Sequence, residues 1–238
     1  MLTSPPPLLT ACEVSKRFGQ VIANDRIDLE LRAGEIVAIL GENGAGKTTL
    51  LNILSGLVQS DSGSVAVRGQ RVVLASPRDA LRHGIGTVYQ HFSLVPTLSA
   101  VENVLLGASG SPLLNHAAAE RRLNQMGITF AGSWQSLRTP VGQLSFGERQ
   151  RIEIAKALYR GSEILLLDEP TSILTPHEVA SLWDVLRGLR ARGVGVALIT
   201  HKLEEAFAIS DRIVVLRAGR VVGEMGAPVS PVDRELWR

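Results

Sequence analysis

The stretch Gly41-Glu42-Asn43-Gly44-Ala45-Gly46-Lys47-Thr48 constrains this chain more than any other. It has the spacing G-x-x-x-x-G-K-[ST], in which glycines let the backbone curl until successive N–H groups converge on phosphate oxygens. The setting fits that use. Ile36, Val37, Ala38, Ile39 and Leu40 form a short apolar run before the loop, the pattern of a strand buried on both faces. Residues 47–57 follow with helical spacing, and Leu50, Leu51, Ile53, Leu54 and Leu57 are expected on the buried side. A helix that begins at the loop adds its positive end to the phosphate site. Lys47 is expected to reach the β and γ phosphates of a nucleotide, and the Thr48 hydroxyl to serve a Mg²⁺ ion. A glycine-rich turn with a surface lysine could share the spacing, but not the strand–loop–helix setting.

A doubly buried strand needs a sheet around it, and the chain supplies one. Strands are expected at 8–18 and 22–31 around Gly19-Gln20, and a second hairpin at 64–67 and 71–74 around Gly69. Ser76-Pro77 opens a short helix, with Ser76 as cap and proline in the first turn. A strand follows at 85–89. From 91 to 140 the strand signals vanish and helical pieces appear at 97–106 and 117–126. A helix at 149–159 leads to a buried strand at 164–167 that ends in Asp168-Glu169. Val179, Leu182, Trp183, Leu186 and Leu189 recur at helical spacing within 176–192. A buried strand at 194–200 ends at His201, a short helix spans 203–209, and a hairpin at 212–216 and 220–224 turns through Ala218-Gly219. The tail from Pro228 has no clear pattern. Strands alternating with helices predict an α/β fold, a mainly parallel sheet flanked by helices.

Composition excludes several classes. The chain has 238 residues, 45% of them apolar and 20% charged, which rules out a disordered, collagen-like or coiled-coil protein. Cys12 is the only cysteine, so no internal disulfide and no cysteine-based metal site can form, and a reducing compartment is the natural expectation. A net charge of +2 does not call for nucleic acid or an anionic membrane surface. No apolar run approaches the roughly 18–20 residues of a membrane helix. The start carries Pro5-Pro6-Pro7 and no positive charge, which is not the pattern of a secretory signal. The expectation is a soluble protein, or a soluble subunit held at a membrane by another chain. His83, His91, His116 and His177 lack metal-ligand spacing, and Trp134, Trp183 and Trp237 are expected to serve packing.

Two adjacent carboxylates at the end of a buried strand are costly unless a cation or hydrogen bonds compensate them. Asp168 is the expected Mg²⁺ ligand, and Glu169, one residue on and pointing elsewhere, is placed to polarise a water that attacks a γ-phosphate.

Leu144-Ser145-Phe146-Gly147-Glu148-Arg149-Gln150 resembles the signature segment of ATP-binding cassette (ABC) proteins, a discriminating feature because other phosphate-loop ATPases lack it. The resemblance covers residues 8–224. It implies a P-loop ATPase core of ABC type with an N-terminal antiparallel β subdomain, both within 1–90 and 141–238, and an inserted α-helical subdomain at 91–140. It implies ATP and Mg²⁺ as cofactors. Phe18 matches the aromatic that stacks on adenine, with Val21 nearby. Gly41 to Thr48 and Thr49 would hold the phosphates: Gly41, Glu42, Asn43, Gly44, Ala45, Gly46, Lys47 and Thr48 in turn. Gln90 matches the glutamine that touches Mg²⁺ and the attacking water, and His201 the histidine that contacts the γ-phosphate. Catalysis would rest on Glu169, His201, Lys47 and Gln90, and the metal site on Thr48, Gln90 and Asp168. Ser145, Gly147 and Glu148 would bind the γ-phosphate of a nucleotide held mainly by a second cassette. An acidic Glu148 must then turn away from phosphate or be neutralised. The family usually has an aspartate where this chain has Thr175, which puts that residue's hydrogen bonds across the dimer in question.

The segments 90–99, 153–161 and 168–178 narrow the resemblance to the N-terminal cassette of bacterial importers for nucleosides and simple sugars. Those proteins usually carry two cassettes, so this chain is a separately encoded half, a piece of a longer chain, or a single-cassette relative. The implied partners are transmembrane permease subunits, a second cassette (identical or different) and, indirectly, an extracytoplasmic solute-binding protein, with no nucleic acid. The implied location is peripheral, on the cytoplasmic face of the inner membrane. Two other readings stand beside this one. A soluble ABC ATPase acting on ribosomes or nucleic acid would carry charged linkers that are not seen here. A weakly hydrolysing regulatory cassette is opposed by Lys47, Asp168, Glu169 and His201, and favoured by Thr175.

Overall fold

The computed structural model describes residues 6–106, 116–125 and 138–226. Two sheets organise them. The first joins β1 (Leu9–Phe18), β2 (Val21–Leu31), β4 (Ser62–Val67) and β5 (Gln70–Val72) in the antiparallel order β2-β1-β4-β5. Leu9, Ala11, Val14, Ile27, Leu29 and Leu31 face inward, as alternation along half-buried strands requires.

The second sheet has the order β10-β9-β3-β8-β7-β6. β3 (Ile36–Leu40), β6 (Ile85–Val88), β7 (Ile164–Asp168), β8 (Gly195–Thr200) and β9 (Arg212–Arg217) run parallel, and β10 (Arg220–Gly226) closes one edge antiparallel to β9. Every residue of β7 and β8 is buried, because this sheet is covered on both faces. Val37, Ile39, Leu166 and Ile199 point into a core shared with α1 (Lys47–Leu54) and the antiparallel sheet. Leu165, Leu167, Val196 and Leu198 point into the opposite core. There they meet α3 (Ala100–Leu105), α4 (His116–Gln125), α5 (Phe146–Tyr159) and α6 (Pro176–Ala191). Trp183 belongs to this second core. Two short helices, α2 (Pro77–Arg82) and α7 (Leu203–Ile209), and one 3₁₀ turn at Val141–Gln143 complete the described elements.

Local chemistry moves some boundaries. α1 stops at Leu54, not at residue 57, because Gly56 adopts φ +73 and any side chain there would meet the Ser76 carbonyl at 2.5 Å. Leu57 is therefore 55% exposed, against the expectation of a buried leucine. α5 begins at Phe146 rather than 149. Ser145 caps it in a box with Glu148, which satisfies donors three residues earlier than hydrophobic spacing suggests. The same device starts α3 at Ala100, with Ser99 and Glu102, where helix was expected from 97. Residues 91–140 carry α3 and α4 in their described part, with an isolated bridge between Ser99 and Pro140. Met126, Trp134, Trp237 and the tail from Pro228 lie outside the described residues. No described helix is long and apolar enough to cross a membrane.

Candidate nucleotide site

The phosphate loop leaves β3 and enters α1 through two left-handed glycines, Gly44 at φ +81 and Gly46 at φ +102. A Cβ on Gly46 would lie 2.2 Å from the Ala23 carbonyl oxygen, so glycine is obligatory there. That close approach seats the phosphate loop directly on β2 of the antiparallel sheet. Asn24, fully buried in β2, donates its Nδ2 to Gly46 O at 3.1 Å, and Gly219 N donates to Ala45 O at 3.0 Å. Lys47 is buried, and its ammonium donates to Gly41 O at 2.6 Å and Glu42 O at 2.9 Å. Burial pushes its pKa down, against the opposing pull of Glu169 and Asp168. Thr48 is exposed and Thr49 half-buried at the start of α1.

Asp168 closes β7 and is buried; burial and then the adjacent Glu169 charge raise its pKa, while Lys47 opposes the rise. Glu169 has φ +44, a left-handed conformation unusual outside glycine. Its N–H donates to Ile199 O at 3.1 Å, and its Oε1 lies 3.0 Å from His201 Nδ1. Behind this pair Thr171 Oγ1 donates to Glu205 Oε2 at 2.5 Å, and Lys202 Nζ donates to Glu205 Oε1 at 2.8 Å. The ends of β7 and β8 are thereby laced to the start of α7.

Gln90 is exposed just past β6. The loop after it is anchored by Glu153 of α5, which is buried and accepts from Ser93 N at 2.5 Å and Ser93 Oγ at 2.9 Å. Phe18 and Val21 are paired across the β1–β2 turn and are 50% and 65% exposed, leaving an aromatic face open to a ligand. Lys16 Nζ lies 5.4 Å from the Phe18 ring.

At the start of α5 Ser145 Oγ accepts from Glu148 N at 3.3 Å, and Glu148 Oε2 accepts from Ser145 N at 2.9 Å. Glu148 thus turns back onto its own cap. Phe146 is 49% exposed and stacks with Phe92 at 6.2 Å between centroids. Gly147 N donates to Glu178 Oε1 at 3.0 Å. Thr175 caps α6, with its N–H and hydroxyl both 3.0 Å from Glu178 Oε2.

The structure therefore brings Lys47, Asp168, Glu169 and His201 together. Apart from the backbone bonds of α5, the hydrogen bonds of Ser145, Gly147 and Glu148 among the described residues run to one another and to Glu178, so the signature forms a separate corner. Sequence reasoning passed over Asn24, Glu205 and Glu178. The pair Thr175…Glu178 was open to discovery as a T-x-x-E capping box; Asn24 and Glu205 carry no local signal.

The residues fit a magnesium–nucleotide pair. An ammonium held only by carbonyls faces two acids, one of them buried at a raised pKa. Thr48, Gln90 and Asp168 offer oxygen donors, which suit a hard cation. No cluster of three or more His, Cys, Asp or Glu able to hold a metal occurs among the described residues.

A family profile described as ABC transporter matches residues 24–172. A nucleoside import ATP-binding protein of Lactococcus lactis subsp. cremoris is 43% identical over 212 residues, covering 88% of this chain and 42% of that protein. A ribose import ATP-binding protein of Streptomyces coelicolor is 42% identical over 241 residues, covering 99% and 45%. The chain spans less than half the length of these curated relatives. Among solved structures, a dimeric ATP-binding cassette in a post-hydrolysis state with ADP and Pi superposes with TM-score 0.78 at 27% identity, covering 93% of this chain and all of that one. A nucleotide-free cassette from an ABC transporter superposes with TM-score 0.82 at 22% identity, covering 98% and 99%, which bears on the fold alone.

Proposed function

The chain belongs to the ABC transporter family of ATP-binding proteins, and from that premise we propose that it binds and hydrolyses ATP to energise a membrane importer of nucleosides or simple sugars. The observation that carries the reading is the 3.0 Å contact between Glu169 and His201 beside the Lys47 loop. Glu169 takes the proton of a water attacking the γ-phosphorus, as the bond to the β–γ bridging oxygen breaks and ADP departs. His201 holds that carboxylate in line. Lys47 leaves its loop carbonyls for the phosphates and offsets the spreading negative charge. Phe18 and Val21 give the adenine a surface, and Gly41 to Thr49 the phosphates a cradle. Mg²⁺ at Thr48, Gln90 and Asp168 supplies charge neutralisation when bound.

A second cassette, identical or different, closes on this one so that its phosphate loop meets Ser145, Gly147 and Glu148 here. Permease subunits dock on the helical region within 91–140, a solute-binding protein delivers the solute outside, and the cassette lies peripherally on the cytoplasmic face. The import ATP-binding proteins and the dimeric cassette named above support this reading by likeness.

The test is affinity purification of the chain from detergent-solubilised membranes, with Mg-ATP hydrolysis measured on the recovered complex. A multi-helix permease should co-purify. Glu169→Gln should lower turnover by about 10²–10⁴-fold with ATP binding retained. Recovery of ribosomes without a membrane protein would overturn the transport reading, and unchanged turnover in the variant would remove Glu169 from the chemistry.

A further inference from the structure

The carboxylate of Glu178 joins two helix starts that belong to different parts of the site. Its Oε1 accepts from Gly147 N at 3.0 Å, at the start of α5 in the signature. Its Oε2 accepts from Thr175 N and from Thr175 Oγ1, each at 3.0 Å, at the start of α6. Thr175 lies at the end of the turn that begins at Glu169, and Ser172 N donates to Glu169 O at 3.1 Å within that turn. The span is tight on both sides. A Cβ on Gly147 would come within 2.8 Å of Glu178 Cγ and 2.9 Å of its Oε1. The signature glycine is thus the residue that lets the carboxylate reach the α5 backbone. The hydrogen bonds from the Thr175 N–H, the Gly147 N–H and the Thr175 hydroxyl hold the carboxyl down at a pKa of about 2.

An ordinary capping box would satisfy Thr175 alone. Here the second oxygen leaves its own helix and seizes another, which makes one side chain a strut between them. We propose that Glu178 is a positioning residue that fixes the signature segment to the turn following Glu169, so that a chain's hydrolytic carboxylate and the surface it offers to the partner's ATP move as one body. This inference rests on the two-cassette reading above for its consequence in turnover, but the strut itself does not. Gln at position 178 keeps the volume and one oxygen while presenting an NH₂ group to the other helix start, so only one end can stay bonded. Asp keeps the charge but is one methylene too short for both.

Amide hydrogen exchange on the full chain decides the strut. Gly147 N–H and Thr175 N–H are both slow in the wild type, and Glu178→Gln speeds at least one by tenfold or more while the interior amides of α5 and α6 keep their protection. Steady-state hydrolysis on the purified complex decides the consequence. Glu178→Gln and Glu178→Asp should each lower kcat by about tenfold or more, the scale of a small misplacement of reacting groups, with ATP affinity changed less than twofold. Exchange at Gly147 unchanged in both variants would overturn the strut. Altered exchange with wild-type kcat would overturn the coupling. A wild-type complex that hydrolyses no ATP would instead overturn the underlying functional reading, with the exchange result still judging the strut.

Discussion

On the proposed reading the start of α1 and the start of α5 are both helix N-termini offered to phosphate, and the chain treats them in opposite ways. α1 has a left-handed glycine as cap, no side-chain cap bond and no acid in its first turn. α5 has a full capping box, an acid at its third position and a second carboxylate reaching in from α6. The first helix start keeps its unpaired donors and its positive end uncompensated, with a buried lysine added. The second has already spent donors on its own side chains. A nucleotide gains most at α1, and at α5 it meets groups that are internally satisfied. On the proposed reading one corner holds an anion tightly, and the other is sampled only when another cassette arrives.

Four substitutions can break or sharpen this contrast. Lys47→Ala removes the one cation of the phosphate loop and should lower turnover by about 10²–10³-fold in a steady-state assay, as loss of one transition-state donor does. Retention of wild-type turnover would remove the distinction between the two corners. Gly46→Ala forces a side chain into the Ala23 carbonyl at φ +102, and denaturant unfolding should show a loss of roughly 3 kcal/mol or failure to fold. Ser145→Ala removes one half of a reciprocal capping box, leaving Glu148 N without its side-chain acceptor, and should cost about 1 kcal/mol in the same experiment. A loss as large as that at Gly46 would mean that the signature is as rigid a part of the fold as the loop.

The smallest effect has the opposite sign. Asp168 has a raised pKa in the folded chain, so the folded state holds the proton more tightly than the unfolded one. Stability then falls as pH rises from the ordinary aspartate value through the folded value, and the full cost is present above it. Asp168→Asn removes that cost. In the absence of Mg²⁺ and nucleotide it should stabilise the chain at pH 7 by about 0.5–1 kcal/mol, a gain that shrinks below pH 4. Thermal melts at the two pH values read it directly.

How much of this was legible in the sequence follows the same divide. The phosphate loop is written in glycines whose φ values other residues rarely adopt, so its spacing together with the strand–loop–helix setting locates Gly44, Gly46 and Lys47. β7 and β8 are legible because burial on both faces leaves mostly apolar residues, and the end of β7 then points to Asp168 and Glu169, whereas His201 at the end of β8 is picked out only by the family resemblance. Helix starts were less legible. Hydrophobic spacing marks where a helix is buried, not where its donors are capped, and α3 and α5 were misplaced by three residues each for that reason. Contacts between distant segments were not legible at all. Nothing near Asn24 announces that its amide supports Gly46, and nothing near Glu178 announces Gly147.

The pairing of β3 has a consequence for how the chain is made. The strand that carries the phosphate loop lies between β8 and β9, and Ile36 sits beside Val196. A ribosome releases β3 long before either neighbour exists, so the nascent loop has no edge to lean on while most of the chain is being synthesised. Such distant pairings are slow to form and leave apolar strands exposed in the meantime. A bound nucleotide is therefore expected to reward folding only late, once β8 and β9 have emerged, and an N-terminal fragment ending before them is expected to leave the loop strand unpaired on both sides.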